Sequence, residues 1–145
     1  MRTFTPEPTQ TLPTPGTRPV DSSELTREES LTDTLSDLLG SSADIEAAML
    51  VSLDGLAMAS ALPETMQEDK VAAMSAAILG LGERASAELG RGELKQVFVE
   101  GKNGYVFLMS TGGKAVLTAL AQRGVKIGLV FYDMKLAARK IADIL

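Results

Sequence analysis

The stretch "VSLDGLAMAS", residues 51–60, sets Asp54 and Gly55 between two short apolar runs. An Asp-Gly pair in that setting is the strongest short-range signal for a β-hairpin, because the tightest hairpin turn needs positive φ at both central residues. The reading predicts two strands, "IEAAMLVSL" (45–53) and "LAMASAL" (56–62), joined by a two-residue turn. Asp54 is then the first corner of that turn and not a working acid.

Upstream of the hairpin, Leu31, Leu35, Leu38 and Leu39 recur at helical spacing on an acidic segment. Thr26 and Glu29 have the spacing of a capping box and Gly40 suits a C-terminal stop, which predicts an amphipathic helix over about residues 25–39. Downstream, Thr65 and Glu68 form a second such pair, and a long helix over 66–89 follows. Its stripe of Val71, Met74, Ile78, Leu81, Ala85 and Leu89 is expected to face the core. The remaining positions are small (Ala72, Ala73, Ala76, Ala77, Gly80, Gly82 and Ala87), and two helical glycines cost about 1 kcal/mol each relative to alanine. Close packing against a neighbour offsets such a cost, so this helix is expected to have two packed sides.

Three further strands are predicted: "ELKQVFVE" (93–100), "YVFLMS" (105–110) and "KAVLTALAQ" (114–122). Asn103-Gly104 and Gly112-Gly113 suit two-residue hairpin turns and make the three an antiparallel meander. The second and third are apolar on both faces, as is the first strand of the earlier hairpin, so helices are needed above and below the sheet. "ELKQVFVE" mixes charge with Val97, Phe98 and Val99 and reads as an edge, where another chain can add a strand. A last helix, about 126–144, carries Ile127, Val130, Met134, Ala137, Ala138, Ile141 and Leu145 on one stripe, with Lys135, Arg139 and Lys140 opposite or flanking it. The fold class is therefore α+β, a five-stranded antiparallel sheet flanked by helices on both faces in the order α-β-β-α-β-β-β-α.

Residues 1–23 differ in kind, for 1–22 hold five of the six prolines and six threonines. Such a segment buries too little surface to offset its ordering entropy and is expected to be a disordered tail preceding one domain, residues 24–145. Net charge is −5, unevenly spread: residues 23–46 carry seven acids and one arginine, whereas 93–145 carry eight bases and four acids. The total disfavours nucleic acid, and the basic C-terminal third suits an acidic partner or ordinary solvation. The N-terminus lacks a signal-peptide pattern and the apolar runs fall short of the roughly 18 residues of a spanning helix, so a cytoplasmic protein without membrane insertion is expected.

The chain has no cysteine and no histidine, which removes disulfides, thiolate metal sites, the Ser-His-Asp arrangement and the usual neutral-pH base. Gly113-Lys114 fails as a phosphate loop, since Leu108 and Ala115 stand where glycine and Ser or Thr are required. Gly80-x-Gly82-x-x-Ala85 falls inside a helical stripe and not between a strand and a helix. Glu28/Glu29 and Glu68/Asp69 are sequence neighbours that point apart on helices. Met49, Met74, Met109 and Met134 take core-like positions, and Tyr105 and Tyr132 read either as interface anchors or as half-buried packing. No catalytic residue, cofactor or metal is expected.

The element order and the stretch "AAMLVSLDGLAMAS" (47–60), with "GKNGYVFLMSTGGKAVLTALA" (101–121) and "IGLVFYDMKLAARKIADIL" (127–145), resemble the roadblock family. That family includes dynein light chains, scaffold subunits for Rag-type GTPases and bacterial regulators of Ras-like GTPases in motility. The resemblance covers about residues 24–145 and implies a profilin-like roadblock sheet with the long helix on one face and the terminal helices on the other. It further implies a homodimer, or a heterodimer with another roadblock protein, paired through the middle-strand edge and the long helix. Carried onto this chain, that interface is Ala73, Ala76, Ala77, Gly80, Lys95, Val97, Phe98 and Val99. A platform for a Ras-like small GTPase would be Lys70, Met74, Ala77, Leu81 and Arg84, with no catalytic group supplied. The function implied is non-enzymatic regulation or scaffolding of such a GTPase, in bacterial polarity, motility or signalling. The alternatives are a structural assembly protein that engages no GTPase, and a small-ligand-sensing domain.

Overall fold

The connection that spans the sheet decides the architecture. A computed structural model describes residues 22–145, with side chains from Thr26 onward; apart from Ser22 and Ser23, which begin a helix, the expected tail lies outside the described residues. The elements are α1 (Ser22–Ser41), β1 (Ile45–Ser52), β2 (Ala57–Ala61), α2 (Glu68–Glu88), β3 (Gln96–Gly101), β4 (Gly104–Thr111), β5 (Ala115–Gln122) and α3 (Ile127–Ile144). They form one antiparallel five-stranded sheet in the order β2-β1-β5-β4-β3. Because β2 and β3 are opposite edges, α2 must cross the whole sheet between them.

Two apolar layers result, as expected for strands apolar on both sides. On one face α1 and α3 bury Leu31, Leu35, Leu38, Val130, Met134 and Ile141 against Leu50, Phe107, Leu117 and their neighbours. On the other, α2 covers Met49, Val51, Leu108 and Val116. Phe131, outside the expected α3 stripe, is buried as well and meets Phe107 edge to face at 4.9 Å.

Local signals near the helix ends read differently in three dimensions. α1 begins by Ser22, so Thr26 is helical and not its N-cap, and Gly40 lies within the last turn. α2 begins at Glu68 with Gln67 in the capping position and no side-chain cap, so the Thr65/Glu68 box does not form. Glu68 instead accepts a hydrogen bond from the Ser60 hydroxyl at 3.1 Å, pinning the start of α2 over β2.

The hairpins also depart from two-residue turns. Leu53, Asp54 and Gly55 form a three-residue loop: the Gly55 N–H donates to the Ser52 carbonyl at 3.0 Å and the Ser52 N–H to the Leu56 carbonyl at 2.8 Å. Within this loop only Gly55 takes positive φ, +91°, and among the described residues no non-glycine residue does, so Asp54 needs no left-handed backbone. This is the type I turn closed by a left-handed glycine that three-residue hairpins favour. Asp54 accepts from the Ser52 hydroxyl, whose oxygen in turn accepts the Leu56 N–H at 2.9 Å. Between β3 and β4, Gly101 pairs with Gly104, so Lys102-Asn103 is the turn rather than Asn103-Gly104. Between β4 and β5, Thr111 pairs with Ala115, so Gly112 and Gly113, both at positive φ, form a three-residue loop with Lys114, whose N–H donates to the Thr111 carbonyl at 3.1 Å.

Gly55→Val is therefore expected to destabilise the domain by about 2 kcal/mol or more, since a β-branched residue there is held in a left-handed conformation. Asp54→Asn, which keeps an acceptor for the Ser52 hydroxyl, should leave the urea midpoint within about 0.5 kcal/mol of the original stability. A Gly55→Val midpoint equal to the parent's would refute the turn assignment.

Candidate protein-interaction site

Two helices cover one face of the sheet, but α2 alone covers the other. α2 starts over Ser60 of β2 and reaches β3 at Gly82, where an added Cβ would stand 3.0 Å from the Val97 side chain and 3.1 Å from that of Leu94. Along the cross-strand row Leu120, Val106, Val99 the cover by α2 is incomplete among the described residues: Val106 packs partly against the α2-side core and Val99 is exposed. Between that row and α2 runs a groove of about 510 Å³, with Val106, Thr118 and Leu120 on its floor and Val71, Met74 and Ile78 on its wall. The Ser75 hydroxyl already donates to the Val71 carbonyl at 2.7 Å, and the buried Thr118 hydroxyl has no partner. A groove so poor in directed polar groups suits an apolar protein surface better than a small ligand.

The groove reverses the expected orientation of α2. Its buried residues are Ala72, Ser75 and Leu79, so a side made mostly of small residues together with Leu79 meets the sheet, while of the expected stripe Val71 and Ile78 pack only partly against it. Met74, Leu81 and Leu89 are exposed, and Met74 is thus no core methionine. Small side chains let the helix backbone approach the pleated surface closely, which leaves the large ones for something else to cover.

β3 bounds the same region. Among the described residues it pairs only with β4, so its outer row of N–H and C=O groups meets no other described strand. Phe98 is 46% exposed although its ring lies within 6.4 Å of the Tyr105, Phe107 and Phe131 rings, and Val99 is 43% exposed. Lys95 is exposed, and Val97 is half-buried beneath Gly82. On α2, Ala77 and Gly80 are exposed, whereas Ala76 is half-buried and lies with Ala73 beside Gly55 of the β1–β2 loop. Thus the strand residues named from sequence gather at one edge, while Ala73 and Ala76 belong to the opposite side of α2.

Lys70, Met74, Ala77, Leu81 and Arg84 come together as one fully exposed ridge along α2, directed away from the sheet. Arg84 pairs with Glu88 at 3.0 Å in an exposed contact that contributes little to stability. Val106 and Leu120 were not singled out from sequence. The available signal was a count: strands apolar on both faces and three helices leave one face short of cover.

Among the described residues no group of three or more His, Cys, Asp or Glu is placed to hold a metal ion, and no helix is long and apolar enough to cross a membrane.

A family model for the Roadblock/LC7 domain matches residues 31–121. An uncharacterized protein of Methanocaldococcus jannaschii is 41% identical over 97 residues, which span 67% of this chain and 84% of that protein. Among solved structures, MglB of Myxococcus xanthus superposes with a TM-score of 0.76 at 17% identity, covering 88% of this chain and 93% of MglB. A Roadblock/LC7 domain from Streptomyces avermitilis gives 0.73 at 25% identity, covering 77% and 94%.

Proposed function

The chain belongs to the Roadblock/LC7 domain family, and on that premise we propose that it is a non-enzymatic homodimer that binds a Ras-like small GTPase on its paired long helices. The single observation that carries this reading is the open β3 edge next to the groove beside α2, with Val99 of β3 paired to Val106 of the groove floor.

The two features are completed by one operation. If β3 pairs antiparallel with a second copy about a two-fold axis at Phe98, the second copy's Val97 comes opposite Val99. Gly82 lies on Val97 in each chain, so the second copy's α2 is brought against the open side of the Val99–Val106–Leu120 row. Both β3 edges are then paired and both grooves filled, in a closed assembly with no free strand between them. Within the expected interface, Lys95, Val97, Phe98 and Val99 take the strand contacts. Ala77 and Gly80 remain available on the helix, but Ala73 and Ala76 already lie beside their own hairpin, so Val71 and Ile78 on the groove wall supply the larger helix contacts.

The ridge of Lys70, Met74, Ala77, Leu81 and Arg84 would form the upper surface of the paired helices and so a broad platform. Its mixture of apolar groups and cations at the rim suits a protein partner. The missing His and Cys agree with a regulator that positions or holds its GTPase.

Immobilised protein should retain a Ras-like GTPase encoded near its gene, loaded with GDP or with a non-hydrolysable GTP analogue. Leu81→Asp should cut that retention at least about tenfold, as expected for a contact of about 1.4 kcal/mol or more. Its melting temperature should not move, because Leu81 is exposed and outside the core. Retention in neither nucleotide state would overturn the GTPase reading and leave the assembly alternative.

A further inference from the structure

The sheet's other face carries a second exposed apolar surface. α3 buries one stripe, yet Leu129, Tyr132 and Leu136 stand 56%, 59% and 42% exposed at i, i+3 and i+7 on its outer side. An apolar face on the solvent side of a surface helix marks a contact. Lys135, Arg139 and Lys140 flank this stripe.

Next to it in the same layer, α1 turns Glu29, Asp33 and Asp37 outward at i, i+4 and i+8, opposite the buried Leu31, Leu35 and Leu38. Among the described residues the ion pair recorded is Arg84 with Glu88 on α2, so none of these acids and bases stands within ion-pair distance of another described residue, although Asp37 and Lys140 line one cavity between α1 and α3. A single layer therefore presents an acidic helix beside a helix that is apolar and basic.

We propose that this α1–α3 layer is a self-complementary docking surface whose occupant is the same layer of a second copy. A two-fold axis between the layers lays each acidic α1 over the basic flank of the opposite α3 and brings the two Leu129–Tyr132–Leu136 stripes together. Isologous pairing uses each contact twice and closes on itself. An anionic membrane is the weaker fit for the same apolar and basic groups, because Glu29, Asp33 and Asp37 would face the lipid headgroups beside them.

The surface lies across the sheet from the groove, so the inference stands apart from the dimer through β3. Operating together, the two interfaces make a tetramer, and each can be removed singly.

Light scattering after size exclusion should find the full-length chain as a tetramer at high concentration. Leu136→Glu and Tyr132→Glu should each halve the mass; both residues are exposed, so circular dichroism should stay that of the parent. Asp33→Lys with Asp37→Lys should halve it likewise, and adding Arg139→Glu with Lys140→Glu should restore the tetramer. Because Phe98 lines a cavity with Tyr132 and Lys135 on the α3 side, Val99→Lys on the groove side is the variant that separates the two interfaces. Val99→Lys should also leave a dimer, and Val99→Lys with Leu136→Glu a monomer. If Leu136→Glu and Tyr132→Glu keep the parent's mass, or if the parent never exceeds a dimer that Val99→Lys alone dissolves, the inference falls while the β3 reading stands. If Val99→Lys changes nothing and Leu136→Glu halves the mass, the inference stands and the β3 reading falls. Parent protein that sediments with phosphatidylglycerol vesicles without self-associating would overturn it in favour of a membrane.

Discussion

Phe107→Ala is expected to lower stability by about 3–5 kcal/mol, the range for removing a buried phenylalanine and leaving a cavity. Phe107 is fully buried at the centre of β4, paired laterally with Phe98 and Ala119. Its ring meets Phe131 at 4.9 Å with an 89° interplanar angle and Tyr105 at 5.7 Å. Deleting it removes apolar area from water-free packing and also an edge-to-face contact worth about 0.5–1.5 kcal/mol beyond its area. The alanines opposite and diagonal to it, Ala119 and Ala121, have no spare length with which to fill the gap. Domains of this size have roughly 5–15 kcal/mol in total, so the variant should be near the limit of folding. Urea denaturation at fixed protomer concentration checks this, since self-association raises apparent stability. A loss below about 1 kcal/mol would mean that the sheet and α3 close over the site, contrary to the packing described.

Phe98→Glu is expected to abolish dimerisation through β3. With the two-fold axis at Phe98, the two substituted carboxylates would stand directly opposite each other across the strand pair, where like charges repel. Each copy also loses a central aromatic contact, of the kind that costs about 2 kcal/mol or more at an interface. Symmetry counts the loss twice, and about 4 kcal/mol corresponds to a roughly thousandfold weaker association. Phe98 touches its own chain's aromatic cluster as well, so Val99→Lys provides a check at a residue without ring contacts. Analytical ultracentrifugation should show the β3-linked species lost in both variants, with the chains still folded. An unchanged association constant in both would place the dimer elsewhere.

Much of this fold was legible in the residues. The Asp54-Gly55 and Gly112-Gly113 pairs placed two of the hairpins, and the charged "ELKQVFVE" segment was correctly read as an edge. The doubly apolar strands β1, β4 and β5 required helices above and below. The errors cluster where a local signal had a tertiary competitor. Thr65 lost its capping role because Ser60, close only in space, holds Glu68. Asp54 kept negative φ because a third loop residue, Leu53, relieved the turn.

The candidate site was half legible. Val97, Phe98 and Val99 share an edge because they are consecutive in β3, with Lys95 just before the strand, and Lys70, Met74, Ala77, Leu81 and Arg84 share a ridge because helical spacing guarantees it. The groove was not legible, since Val106 and Leu120 reach α2 only through pairing with other strands.

What the sequence by itself determined was the order of elements, the two-sided burial of the sheet, its exposed edge and the family. Only the tertiary structure decided which side of α2 meets the sheet, where one helix fails to cover it, and that α3 keeps a second apolar stripe outside. The reason is that periodicity groups residues onto a face but does not name the neighbour. A helix with both a small and a large apolar side can pack either way until the distance to the strands below selects the small one.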